Sequence, residues 1–425
     1  MPSPPLRILI AALGSHGDMH PFLALGRTLR DCGHEVRLIA PAMYESMARS
    51  IGLHFVPVGT AEEFERFSSR AGLWHPLKGF QVLAEGVAQL LTPYYRAIVE
   101  NHEPGRTVLV LSSLLLAGRV AQEVLGAPAV SVHLSPVILR SIENPAKTPP
   151  LPVAAWLPKF WNRLVFAAAD LLVLDAALSR PLNALRASVG LGPVKRIFSR
   201  WIHSPDRVIG LFPQWFAPSA ADWPPQTVLT GFPLYDEADV TPIDAELEKF
   251  LDSGQPPIAF TPGSAMRHGG RFFAAAVQTC RMLGRRGLLV SIHGQQVPAR
   301  LPGEIRYVRY APFSRLLPRC AAIVHHAGIG TSSQALAAGI PQLAAPMAHD
   351  QADNAMRLQR LGVAEILPAR RFAAPAAAVA LEDVMDPIHR AACLVAKNRF
   401  AGKDPLRKSA EVIEQTFHDR AKPHL

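Results

Sequence analysis

CAAIVHHAGIGTSSQALAAGIPQLAAPMAHDQADNA, Cys320 to Ala355, contains enough to set the architecture. CAAIVHH is an apolar run of strand length, and it ends in a turn built on Gly328 and Gly330. Thr331 and Ser332 then stand where a helix needs N-caps, and Gly339 with Pro341 closes that helix. PQLAAP is the next strand, and Asp350-Gln351 opens the next helix. Strands joined by helices at this spacing pair in parallel, because a parallel neighbour needs a crossover connection.

The same alternation fills the rest of the second half. PIAFTPGS, LLVSIHG and IRYVRYAP read as strands, and FFAAAVQTCRMLGRRG and NAMRLQRLG as helices. The first half repeats it with RILIAAL, EVRLIAP, Leu53–Val58, VLVLSSLL and PAVSVHLS as strands. HPFLALGRTLRDCG and GRVAQEVLG are the helices between them. The class is α/β, two doubly wound parallel sheets. Expected boundaries are a first domain over 1–232, a Pro-rich acidic linker over 233–256, a second domain over 257–403 and a helix over 404–425 that packs back on the first. Ser135 to Pro205 lacks clean alternation. It reads as a pocket-walling insertion or an irregular packing layer.

Composition narrows the function. The 425 residues carry a formal charge of +10, but the basic residues are spread out and not interleaved with aromatics, which argues against nucleic acid. An anionic small substrate or attraction to anionic lipid stays open. The cysteines (Cys32, Cys280, Cys320, Cys393) have no CxxC spacing and read as buried thiols of a reducing compartment. Leu164 to Leu178 is apolar but is interrupted by Asp170 and Asp175, so no bilayer span is expected. The expected location is the cytoplasm, with peripheral attachment to the membrane's inner face left open.

Two constellations carry chemistry. Glycines ahead of a helix let backbone N–H groups approach a phosphate, so Gly328, Gly330, the Thr331 hydroxyl and His326 form a candidate diphosphate site. Asp350 and Gln351 bring acceptors and donors suited to vicinal sugar hydroxyls to the same sheet edge. After the first strand, GSHGDMHP offers His16, Asp18 and His20 as candidate bases.

The order His-x-Gly-x-Gly-Thr, Ala-Gly-Ile-Pro, Pro-x-x-x-Asp-Gln-x-x-Asn-Ala resembles the donor motif of family 1 glycosyltransferases. That resemblance implies the GT-B architecture, two facing domains with a cleft between them. It implies that His326 and Thr331 hold a diphosphate and that Asp350 and Gln351 hold the sugar. Tyr310 matches the position that stacks on the nucleobase, and Ser264, in TPGS, the hydroxyl turn that reaches the phosphates. Gly-Ser-x-Gly-Asp matches the bacterial form of the catalytic loop, which puts the base at Asp18, with His16 and His20 as possible supports. The sequence has no Asp-x-Asp motif of metal-dependent glycosyltransferases. No metal or cofactor is expected, only a nucleotide-sugar co-substrate and a single inverting displacement.

PVKRIF, WIHSP, LFPQWFAP, DWP and TGFPLYD resemble the rhamnosyltransferases that make rhamnolipid biosurfactants. That implies dTDP-L-rhamnose as donor and a 3-(3-hydroxyalkanoyloxy)alkanoate as acceptor. Most family 1 enzymes have Glu where this sequence has Gln334, and that Glu accepts from both ribose hydroxyls. A deoxyribose lacks one of them, so Gln334 leans toward dTDP while UDP stays open. A UDP- or dTDP-sugar transferase acting on flavonoids, sterols or terpenoids is the alternative. A nucleotide-sugar epimerase or a non-catalytic binding subunit is the reading from another class. His133 and Trp74 are candidate acceptor contacts.

Overall fold

A computed structural model describes residues 5–75, 78–239 and 241–421. The described residues fall into two compact units. One holds the chain up to Gly14, Asp18–Pro233 and the residues from Asp404 on, and the other holds Ser15–Gly17 and Leu234–Lys403. Beyond Pro233 the 233–256 stretch is therefore part of the second unit and not a separate connector. Its helix Ala245–Asp252 is capped by Asp244, whose side chain accepts from the Leu247 amide, and it buries Leu247 and Leu251 in that unit's core.

In the first unit the strands are β1 (Arg7–Ala11), β2 (Glu35–Pro41), β3 (His54–Val58), β4 (Thr107–Ser112), β5 (Ala129–His133), β6 (Arg207–Gly210) and β7 (Thr227–Leu229). They form one parallel sheet in the order β3-β2-β1-β4-β5-β6-β7. In the second unit β8 (Ile258–Thr261), β9 (Gly287–Val290), β10 (Ile305–Val308), β11 (Ala322–His325), β12 (Gln342–Ala344) and β13 (Ala364–Ile366) form another, in the order β10-β9-β8-β11-β12-β13. Helices cover both faces of such a sheet, which is why β4, β5, β8 and β11 are buried at every residue and read as unbroken apolar runs.

Between β3 and β4, where the sequence reading names no element, lies the helix Gly79–Asn101. Its apolar face (Ala84, Val87, Leu91, Tyr94, Ile98) recurs at helical spacing and packs chiefly against the helices Leu116–Leu125 and Asp175–Ser188 and along β1 and β3. Val87, Leu91 and Ile98 each contribute about 1.5–3 kcal/mol on leaving water. The Ser135–Pro205 region is largely helical, with Lys159–Ala169 and Asp175–Ser188 joined by a π-helical turn, Asp170–Leu174. Cys280, Cys320 and Cys393 are buried, whereas Cys32 is only partly covered and lies 3.0 Å from an Arg407 guanidinium nitrogen.

The last helix, Pro405–Ala421, belongs to the first unit. Its Lys408 donates to the Leu229 carbonyl at 2.7 Å, Ser409 to the Thr230 hydroxyl at 2.8 Å, and Glu414 meets His34 Nε2 at 3.1 Å. Ala410 and Ile413 are fully buried beneath these contacts. Ile413→Ala is expected to cost about 2–5 kcal/mol through the cavity it leaves. A urea-unfolding midpoint unchanged from wild type would show that this helix contributes nothing to the core.

Candidate functional site

Each sheet has one place where the strand order reverses direction. In the first it lies between β1 and β4, in the second between β8 and β11. Open parallel sheets bind ligands just beyond the carboxyl ends of the strands at such points. Thr261, His325 and Ala344 sit in register on β8, β11 and β12, so the loops that follow leave the sheet side by side.

The two histidines at the end of β11 face different surroundings. His325 is fully buried; its Nδ1 accepts the Ala327 amide at 3.1 Å, which leaves Nε2–H to donate to Gln342 Oε1 at 3.0 Å. His326 is half-buried, and its Nδ1 has no hydrogen-bond partner among the described residues. Its ring lies between two glycines. A Cβ on Gly263 would sit 2.6 Å from its Cε1, and a Cβ on Gly328 would sit 2.3 Å from its Nε2. Gly263 also has φ +93°, which side chains resist. Burial pushes the His325 pKa down to about 3, and the His326 ring, whose Nδ1 is shut off from water although the residue is partly exposed, is desolvated to about 4, so both imidazoles are neutral.

The helix Ile329–Ala338 begins immediately after this ring. The sequence predicts N-caps at Thr331 and Ser332, but the N-cap is Gly328, with no side chain bonded to the helix start, and Thr331 and Ser332 lie inside the first turn. The first helical backbone bond is Ser332 N–H to the Gly328 carbonyl at 2.9 Å. The amides of Ile329, Gly330 and Thr331 thus have no acceptor within the helix, and they carry the positive end of its dipole. Ser264 lies in the loop after β8, its carbonyl accepting from His293 Nε2 at 3.2 Å. Gln296 braces that loop, receiving the Gly269 amide at 2.5 Å and donating to the Met266 carbonyl at 3.0 Å.

Asp350 is the N-cap residue of the helix Gln351–Arg360. Asp350 Oδ2 accepts from Asn354 Nδ2 at 2.8 Å, and the same nitrogen donates to the Ala327 carbonyl at 3.0 Å. Gln351 is buried, and its Oε1 accepts the amides of Met347 at 2.8 Å and Ala348 at 3.1 Å, so its NH2 end is the part suited to a ligand. Tyr310 donates its hydroxyl to the Asp236 carbonyl at 2.7 Å, and burial raises its pKa. Gln334 lines a cavity of about 300 Å³ together with Tyr235, Asp236 and Ser314. The sequence reading gives no role to Gly263, Gln296 or Asn354. Gly263 and Asn354 leave a trace there, one as the glycine of TPGS and the other one helical turn after Asp350.

In the first unit, the loop after β1 is held by two fully buried tyrosines from distant elements. Tyr94 donates to the Ala12 carbonyl at 2.7 Å and Tyr44 to the Gly14 carbonyl at 2.9 Å. Asp18, exposed in the first turn of the helix His16–Asp31, folds back over Gly14. A Cβ there would lie 2.5 Å from Asp18 Oδ2, and Gly14 has φ +136°. His16 and His20 are in the same helix, both partly exposed. His133 is not a pocket wall. It is fully buried, with Nδ1 2.9 Å from Ser113 Oγ and Nε2 2.9 Å from His203 Nδ1. Burial keeps its pKa well below the ordinary value, and that of His203 at about 4. Trp74 lies in a short 3-10 turn, Ala71–Trp74.

An exposed carboxylate at one switch point can take a proton, and an uncapped helix start beside a neutral imidazole at the other can receive an oxyanion. Residues 8–142 match the glycosyltransferase family 28 N-terminal domain, and residues 288–416 match the erythromycin biosynthesis protein CIII-like C-terminal domain. The chain is 30% identical to O-mycaminosyltylonolide 6-deoxyallosyltransferase of Streptomyces fradiae, over 99% of each chain. It is also 30% identical to dTDP-epi-vancosaminyltransferase of Amycolatopsis orientalis, over 84% of each. Among solved structures, the glycotransferase of kitacinnamycin aligns with a TM-score of 0.75 at 20% identity, covering 97% of this chain and 100% of that one.

Gly263→Ala is expected to push the His326 ring out of place and cost about 1–3 kcal/mol of stability. Nucleotide affinity should fall about tenfold or more if the ring serves the ligand, as loss of a hydrogen bond to a charged group implies; calorimetric titration with dTDP reads this. His203, His325 and His326 have folded pKa values depressed below the ordinary 6.5, so their neutral forms favour the fold above pH 6.5. That stability drains as pH falls from about 6.5 toward 4, and Tm should drop across this window. A flat Tm there would contradict the buried neutral imidazoles.

Proposed function

This chain belongs to the family 1 glycosyltransferases of the erythromycin CIII-like type, and on that basis we propose that it transfers L-rhamnose from dTDP-L-rhamnose. The acceptor in this reading is a hydroxyl of an amphiphile, a 3-(3-hydroxyalkanoyloxy)alkanoate. The observation that carries the donor half is the uncapped helix start at Gly328 beside the neutral His326, at the switch point of the second sheet. Two features support the choice of sugar nucleotide. One relative is named for a 6-deoxy sugar and another for a dTDP-linked one, and rhamnose is itself a 6-deoxyhexose. Gln334, facing the cavity with Asp236 and Ser314, offers a ribose one acceptor instead of a bidentate carboxylate.

The proposed reaction is one displacement with inversion. Asp18 removes the proton of the acceptor hydroxyl as that oxygen attacks the anomeric carbon. The bond from anomeric carbon to phosphate oxygen breaks, and its electron pair leaves with dTDP. The amides of Ile329, Gly330 and Thr331, the hydroxyls of Thr331 and Ser264, and the single N–H of neutral His326 stabilise that growing charge, with no metal required. Asp350 accepts from the sugar's hydroxyls, Gln351 donates its remaining amide hydrogens to them, and Tyr310 packs against the nucleobase.

Asp18→Asn should lower kcat about a hundred- to ten-thousandfold while leaving dTDP affinity within about twofold of wild type. Full activity in that variant would remove Asp18 from the role of base. Steady-state assays with dTDP-L-rhamnose, dTDP-glucose and UDP-glucose, each against the lipid acceptor and a flavonoid, test the rest. Turnover with UDP-glucose alone would overturn the rhamnosyl reading.

A further inference from the structure

The segment from Trp156 to Arg180 reads WLPKFWNRLVFAAADLLVLDAALSR and folds as two helices around a π-helical turn. Its inward side mixes the apolar Phe166 and Leu178 with polar groups. Asn162 is fully buried, accepting the Ala154 amide and donating to the carbonyls of Ile142 and Ala154. Asp170 is buried against Arg140 at 2.6 Å, and Asp175 accepts the Ile197 amide at 3.0 Å. The outward positions are apolar: Trp156 is 83% exposed, Phe160 69%, Leu164 60%, Leu171 73% and Leu172 73%. Phe160, Leu164, Leu171 and Leu172 follow helical spacing, and the wide π turn presents Leu171, Leu172 and Val173 in succession. Soluble surfaces scatter single apolar side chains, whereas a contiguous face of this kind marks an interaction site.

The charges around the face indicate what covers it. Lys159 and Arg163 are exposed on the first helix, and Arg180 on the second. Lys195, Arg196 and Arg200 are exposed on and beside the turn Ile197–Trp201, which packs against the π turn. Among the described residues from Ser141 to Ser204, the only exposed carboxylate is Glu143, paired with Lys159 at 2.5 Å. An apolar face with Trp and Phe at its start, rimmed by cations and nearly without carboxylates, complements an anionic lipid surface. No helix among the described residues is long and apolar enough to cross a membrane.

We propose that the face formed by Trp156, Phe160, Leu164 and Leu171–Val173 lies in the interface of an anionic bilayer, with Arg163, Arg196 and Arg200 on its headgroups. Such attachment depends neither on the donor nor on the acceptor. It is tested by cosedimentation with phosphatidylcholine vesicles, with and without phosphatidylglycerol. The wild-type protein should bind the anionic vesicles the more tightly, and salt should weaken that binding. The combined Phe160→Gln, Leu164→Gln, Leu171→Gln, Leu172→Gln variant changes only exposed positions and should lose at least about tenfold in affinity. Arg163→Gln with Arg200→Gln should lose about tenfold or more at low salt, since each basic residue near such a surface contributes about fivefold. Ile388→Gln with Leu394→Gln, exposed apolar positions in the second unit, should bind as wild type. Wild-type affinity in either of the first two variants overturns the proposal. So does sedimentation showing a wild-type dimer that binds no vesicles and that the four-residue variant dissolves, which would assign the face to a second copy.

Discussion

Two turns at the edge of the second sheet, at Ala327 after β11 and His349 after β12, hold side-chain-bearing residues in left-handed backbone torsions, φ +62° and +58°. Each such residue costs about 1–3 kcal/mol and persists only where its surroundings over-determine it. Here the surroundings include one amide. Asn354, fully buried, donates to the Ala327 carbonyl and to the Asp350 carboxylate, and so ties the loop after β11 to the loop after β12. Gln351 and His325 close the arrangement from either side by receiving the amides of Met347, Ala348 and Ala327. The position of His326 and the direction of the helix that follows it both depend on that knot.

The first unit meets the same demand with different side chains. There the loop after β1 must leave the sheet and turn at Gly14, and the side chains of Tyr44 and Tyr94 behind it are fully buried. Their donations to Gly14 and Ala12 satisfy both the phenols and the carbonyls, and each hydroxyl would be costly to leave unpaired. A packed core thus reaches the sheet edge at each switch point, by an amide in one unit and by phenols in the other. Such support from behind keeps an exposed group such as Asp18 on a defined backbone.

Much of the fold is legible in the sequence because parallel strands buried on both faces are written as short apolar runs between glycine turns. The runs at 7–11, 107–112, 258–261 and 322–325 need no further information. The helix Gly79–Asn101 shows why local reading has limits. Its apolar face is partly broken by Pro93 and by polar neighbours, and the helices and strands it packs against come beside it only in the tertiary fold. The inward Asn162 and Asp170 defeat pattern reading more completely, since polarity there points the wrong way. At the site, the residues with evident chemistry announce themselves by type and spacing. Gln296, Tyr44 and Tyr94 act by holding loops in place through partners 27 to 82 residues away, outside any local motif, and Asn354, although it stands in the quoted motif, acts through the Ala327 carbonyl 27 residues back.

The slot around His326 joins three positions in two loops. With no Cβ on Gly263 or Gly328, the imidazole has backbone close to it at both places, and its tilt is fixed by shape. A flat five-membered ring fits there, and a flexible amide or a branched side chain would leave gaps or collide. The three positions therefore form one heritable unit. A change at 326 opens space that a larger residue at 263 or 328 could fill, and neither glycine can change first. Among descendants of a common ancestor the three should vary together or not at all, although the first of them follows a different strand from the other two.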